Sequence, residues 1–203
     1  IMKALKLFSK AMLAALALSP AAASAQSTSF YKTPYKSRNS GSFHKGDNIV
    51  SFGIGLINIS MNDIYSNGSY SWGIPPMYGK YEYGIMDEIS IGGRIGMGTG
   101  RYKYMNVRAN NFRMSMSVAG YYHFNKLIPV SKLDVYAGAG LATIYRSYET
   151  VSGPNTVYRD NDFGIRPVFL VGARWYFTQT FGVYGESGYD GMSYMNLGIS
   201  LRF

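Results

Sequence analysis

From Asp47 onward, apolar residues return at every second position, in one stretch of about ten residues after another. Val50, Phe52, Ile54 and Leu56 alternate with Ser51, Gly53 and Gly55; Ile89, Ile91, Ile95 and Met97 alternate with Ser90, Gly92, Arg94 and Gly96. A period of two is that of a β-strand with one apolar face, and about ten residues is what a tilted strand needs to cross a bilayer. The pattern predicts strands over 48–57, 77–86, 89–98, 112–124, 133–146, 163–177 and 181–189, and an eighth that follows Gly191 and ends in "NLGISLRF". The connections between them alternate. Long ones are expected at 58–76, in the basic, Tyr-rich stretch after residue 98, and at 147–162. Short ones follow the second and sixth strands, and Asp87-Glu88 makes a tight turn. The turn between the last two strands breaks this rhythm by being short. Pro167 falls inside the sixth strand, where it removes a ladder donor and calls for a bulge.

Alternation alone fits two closed sheets, a soluble barrel with an apolar interior or a membrane barrel with an apolar exterior. The other face separates them. A face in water should be rich in Lys and Glu, yet this one is Gly, Ser, Ala and Tyr with isolated arginines. Only 15% of residues are charged, against about 25% in ordinary soluble domains. Small residues beside tyrosines suit the bore of an eight-stranded barrel, which side chains fill. Aromatics at both strand ends would form the interfacial girdles: Phe124, Trp175, Phe177, Phe181 and Phe203 at the short-turn end, Tyr102, Tyr104, Tyr145 and Phe163 at the other. The expected fold is therefore all-β, an eight-stranded antiparallel up-and-down transmembrane β-barrel over residues 47–203. Closure satisfies every backbone group in lipid.

Residues 1–25 have the form of a secretory signal peptide. Lys3, Lys6 and Lys10 precede the apolar run 11–18, a proline, and the small residues Ala23 and Ala25 of an A-x-A cleavage site. Cutting before Gln26 takes the formal charge from +9 to +6, and Lys32, Lys36, Arg38 and Lys45 carry +4 of what is left. These lie in 26–46, which lacks periodicity and reads as a flexible basic arm. A basic balance this local is not the footprint of nucleic-acid binding. An exported chain without cysteines gains nothing from disulfides.

The segments "YEYGIMDEISIGGRIGMG", "LDVYAGAGL" and "FLVGARWYF", with the C-terminal strand, resemble the small outer-membrane β-barrel family of OmpX-like and OmpA-N-terminal-like barrels. The resemblance implies residence in a Gram-negative-type outer membrane, with outer-membrane lipid as the surrounding partner. It also implies that Asn196, Gly198, Leu201 and Phe203 are similar to the family's C-terminal assembly signal, read by the barrel-assembly machinery.

No H-E-x-x-H, Walker or dinucleotide-binding motif occurs, and no catalytic, cofactor-binding or metal-ligating residue is assigned. The two histidines, His44 and His123, fall in the arm and at the short-turn end. A lipid-modifying barrel enzyme would want a His–Ser–acid cluster at the other end. Asp160-Asn161-Asp162 offers oxygens to calcium but reads better as a polar turn. The inward-facing charges say more. Glu82, Arg94, Arg113, Asp134, Arg166, Arg174, Glu186 and Arg202, with Lys80 and Arg146, are expected to form an interior charge network that plugs the bore. The expected function is structural or interactive, through external loops and a surface ligand or envelope protein. A narrow channel for small solutes is the alternative.

Overall fold

The computed structural model describes residues 42–56, 69–104, 107–152 and 156–203. Its strands are β1 (Asn48–Gly55), β2 (Ser69–Trp72), β3 (Met77–Met86), β4 (Ile89–Tyr104), β5 (Val107–His123), β6 (Leu133–Ser152), β7 (Thr156–Tyr176), β8 (Phe181–Tyr189) and β9 (Met195–Arg202). All pairings are antiparallel. Eight strands form a closed ring in which β1 pairs with both β3 and β9, and β4–β5 completes the circuit. The ends of β1 and β9 are laced together, Asn48 N–H donating to the Phe203 carbonyl at 3.0 Å and Phe203 N–H to the Asn48 carbonyl at 2.9 Å. Strand β2 pairs with residues 100–103 of β4, in line with β3 and separated from it by Gly73–Pro76.

The outside is greasy and the inside polar. Phe52, Ile91, Val118, Leu141, Phe169 and Val171 are exposed, while Lys80, Glu82, Arg94, Arg174 and Glu186 are buried. A sheet with this inverted polarity is stable only where lipid covers it. The register on β4 to β6 puts five outward rows in the belt, from Ile89/Tyr122/Ala137 up to Met97/Met114/Tyr145. At ~3.4 Å per residue and a tilt of roughly 45°, five rows stand about 25 Å tall, the height of an outer-membrane apolar band.

The strands at the long-connection end differ from expectation. The basic, Tyr-rich stretch after residue 98 and most of 147–162 are not loops. They are the upper halves of β4, β5, β6 and β7, paired without interruption from Tyr104↔Val107 and Ser152↔Thr156 downward. Above the belt both faces meet water, so polar residues occupy both and the hydrophobic period disappears although the strand continues. Asp160-Asn161-Asp162 is accordingly strand rather than turn. The remainder of the expected loop 58–76 contributes β2; residues 57–68 lie outside the described residues.

Pro167 requires no bulge. It sits opposite Leu141 in an unbroken register, and β8 pairs only with residues 169–176 of β7. Among the described residues Pro167 therefore lies on a stretch of β7 with no strand neighbour on its β8 side, where a missing N–H leaves no ladder bond unmade. The ladder irregularity falls instead between Gly84 and Met86.

Both ends of the ring are filled by short segments. At the short-turn end, residues 42–46 of the stretch read as an arm tuck inside: Phe43 is 1% exposed, and its ring stacks on His123 with centroids 3.6 Å apart. The Asn125 side-chain amide donates to the Phe43 carbonyl at 2.8 Å. At the other end the β8–β9 turn folds inward. Asp190 Oδ1 accepts from the N–H groups of Met192 and Ser193, both at 2.8 Å, and Met192 and Ser193 are buried.

Candidate functional site

Every second residue of β3 points inward, which places Tyr78, Lys80 and Glu82 in a column. Neighbouring strands add Ser90 and Arg94 from β4, Tyr121 and His123 from β5, Asp134 and Tyr136 from β6, Arg174 from β7, and Tyr184 and Glu186 from β8. The charged members form one continuous chain across the bore. Asp190 Oδ2 accepts from Arg94 Nη1 at 2.8 Å, and Arg94 Nη2 donates to Glu186. Glu186 also binds Lys80, whose Nζ lies 3.4 Å from Glu82 Oε1. Glu82 accepts from Arg174 Nη2, whose Nη1 donates to Asp134 Oδ2 at 2.9 Å. Asp134 Oδ1 lies 2.7 Å from His123 Nδ1, and His123 Nε2 lies 3.0 Å from Ser90 Oγ. None of these residues is more than 5% exposed.

Charges so deeply buried are tolerated only when paired and hydrogen-bonded. The tyrosines supply further partners. Lys80 Nζ sits 5.1–5.5 Å from the ring centroids of Tyr121, Tyr136 and Tyr184, and Arg174 stacks on Tyr136 at 4.0 Å. Such cation–π contacts gain strength where water is excluded. The rings in turn need glycine opposite them. A Cβ at Gly138 would lie 2.5 Å from the Tyr121 ring, and one at Gly172 would lie 2.7 Å from Tyr136. Inward Gly and inward Tyr are thus one packing device.

Of the residues expected in the interior network, Lys80, Glu82, Arg94, Asp134, Arg174 and Glu186 come together; Arg113, Arg146, Arg166 and Arg202 lie elsewhere. Arg113 is buried but faces Arg146 higher up, and Arg146 Nη1 reaches Asp162 at 3.6 Å. Arg166 has inward parity yet is exposed, because it lies on β7 above the end of β8, where the ring is open. Arg202 is half-buried at the short-turn rim, stacked on Tyr176 at 4.1 Å and donating to the Gln179 carbonyl at 3.0 Å. The chain also contains His123, Ser90 and Asp190. His123 and Ser90 had the inward parity that could have flagged them; Asp190 sits in a turn, where parity has no meaning.

Ser90, His123 and Asp134 have the spacing of a Ser–His–Asp triad. Hydrolysis needs more than spacing: room for a carbonyl about 3 Å from the nucleophile, and N–H donors for the oxyanion. Here Ser90 is wholly buried in a ladder, Phe43 lies flat on the imidazole, and Arg174 holds the other oxygen of Asp134. The trio links the charge chain to the base of the barrel. A fluorophosphonate probe is expected to leave the folded protein unmodified; adduct formation at Ser90, read by peptide mass spectrometry, would contradict this. Among the described residues no group of three or more His, Cys, Asp or Glu side chains could hold a metal.

At the C-terminus Asn196 is buried against Ser193, and Gly198 lies beneath the Tyr184 ring, which a Cβ there would approach to 2.6 Å. Leu201 has outward parity and is half-buried, and Phe203 is exposed. Ala23 and Ala25 lie outside the described residues.

A closed ring of eight strands, apolar outside and filled with paired charges inside, defines a transmembrane β-barrel. Three solved structures resemble this chain. Ail, the attachment invasion locus protein of Yersinia pestis, in complex with the heparin analogue sucrose octasulfate, matches over 78% of this chain and 99% of its own at 11% identity, with a TM-score of 0.50. The N-terminal β-barrel domain of Pseudomonas aeruginosa OprF matches over 79% and 98% at 20% identity, with a TM-score of 0.43. OprG, an outer membrane protein of Pseudomonas aeruginosa, matches over 79% and 97% at 10% identity, with a TM-score of 0.47. At 11% identity the likeness to Ail is one of fold alone. No family model matches the chain, and no curated protein matches it.

Proposed function

We propose that the protein is a non-enzymatic barrel of a Gram-negative-type outer membrane, exported through residues 1–25 and cut before Gln26. On this reading the barrel-assembly machinery recognises Asn196, Gly198, Leu201 and Phe203, and the barrel serves a structural or interaction role at the surface. The observation that carries it is the pairing of a filled bore with a protruding ribbon. Residues 156–168 of β7 continue for roughly 40 Å of strand beyond β8 at ~3.4 Å per residue, about 30 Å in height at the same tilt. Among the described residues that edge has no strand partner on its β8 side, and it exposes Val157, Tyr158, Phe163 and Ile165. An open strand edge with apolar side chains is a surface that an extended segment of another protein can extend as a sheet.

Planar-bilayer recording tests the filled bore. Purified protein is expected to give no steady conductance, because the Asp190-to-Asp134 chain occupies the section that ions would have to cross. Stable single-channel openings would favour a narrow solute channel instead.

A further inference from the structure

Between β4, β5 and β6, just above the belt, the outer face of the ribbon is hollowed into a recess of about 800 Å³. Its lining includes Thr99, Arg101, Arg108, Asn110, Phe112 and Ser147. Phe112 stands level with Thr99 on one side and Ser147 on the other, one row above Met97 and Met114. The floor of the recess is therefore continuous with the lipid-facing surface. Arg101 lies one row higher, opposite Asn110, and Arg108 one row above that, opposite Lys103.

The chemistry of the walls is one-sided. Arg101 and Arg108 are exposed and have no ion pair among the described residues. The recess also contains a carboxylate, Glu149, but Arg159 on the next strand holds it at 2.9 Å. Asn110 and Ser147 add neutral donors. Thr99 Oγ1 accepts from the Ile74 N–H at 2.7 Å, which leaves its own proton to donate. Two guanidiniums and several neutral donors around one hollow match the oxygens of a phosphate group. The volume exceeds that of a lone phosphate and falls in the range of pockets that take a whole small ligand.

We propose that this recess binds the phosphate-bearing sugar headgroup of an outer-leaflet lipid, with the acyl chains running down over Phe112, Met97 and Met114. The lipid source, rather than a free polyanion, follows from position. The arginines have the outward parity of the belt and stand two and three rows above its top row, just beyond Phe112, so an anion held there faces the membrane surface. Methionine side chains adapt to irregular apolar neighbours and suit mobile acyl chains. The proposal rests on the membrane reading and extends it to one lipid class.

The test uses the full chain refolded in phosphatidylcholine micelles doped with a diphosphorylated disaccharide lipid, and native mass spectrometry to read the bound lipid. Wild type is expected to retain it, and the Arg101→Gln/Arg108→Gln double variant to retain at least tenfold less. Lys126→Gln/Lys132→Gln, an equal loss of two charges at the opposite rim, should change retention less than twofold. The dephosphorylated lipid should bind wild type and double variant equally. Equal retention of the phosphorylated lipid by wild type and double variant would overturn the site. Its displacement by an equimolar soluble sulfated oligosaccharide or inorganic pyrophosphate would overturn the lipid source in favour of a free anion. A wild-type chain whose belt strands gain no protease protection in vesicles would overturn the membrane reading, and this inference with it.

Discussion

Arg174→Met should be the most destabilising single charge removal in the protein, lowering the unfolding free energy by about 3–5 kcal/mol, the usual cost of leaving a buried ion without its partner. The methionine nearly preserves volume, but the change strips one hydrogen bond from Glu82 and one from Asp134. Lys80 and His123 remain beside those carboxylates, so the interior is not left wholly unpaired. The contrast that gives the result meaning is Glu149→Gln. That change breaks the Arg159–Glu149 pair, which has similar geometry but lies in solvent at the ribbon, where an ion pair contributes about 0–1 kcal/mol. Urea unfolding in detergent micelles, followed by the heat-modifiable shift on gels, measures both. Equal midpoints for the two variants would mean that the interior chain contributes no more than a surface pair.

Leu141→Arg should be the most damaging change on the outer face. Leu141 lies opposite Val118, which lies opposite Gly93, and this is the middle of the five belt rows. The side chain is 62% exposed when lipid is not counted, so in water alone an arginine there would meet no obstacle. In a bilayer the same residue costs about 2–4 kcal/mol at the midplane and much less near either interface. Arg substitutions at Leu141 and at Phe112, which is one row above the belt, should therefore differ strongly when folding is titrated in lipid vesicles. If both were tolerated equally, the exposed apolar belt would not be the lipid contact.

Much of the architecture could be read from the residues because a membrane wall imposes a strict rule. Outward residues from Ile89 to Met97 must be apolar and inward ones must be small, aromatic or paired, so the period of two survives in plain view. Where lipid stops, the rule stops. The upper halves of β4 to β7 looked like loops because water on both faces removes any reason for alternation. The inward face hid a different departure. Ile144, Val168 and Leu170 are buried inside the barrel with Ala142 and Tyr136, apolar residues on the face expected to be polar. They sit beneath the inward-folded β8–β9 turn, whose Gly191 packs against Ile144.

The candidate sites divide along the same line. Parity sufficed to place Glu82, Arg94, Asp134, Arg174 and Glu186 inside, because a strand gives its side chains only two directions. Parity could not place Arg166 in solvent, since that depends on where β8 ends relative to β7. It could not bring Asp190 to Arg94 or Phe43 to His123, since both contacts come from chain that lies outside the strands and folds back into the ring. The strand period, the inverted polarity and the inward set of charges were all legible in the order of residues, because they follow from local geometry and the solvent on each side. Which charges meet, where the ribbon rises above the wall, and which segments close its two ends emerge with the folded ring. Those outcomes depend on the stagger between strands, and stagger is fixed by the whole ring at once.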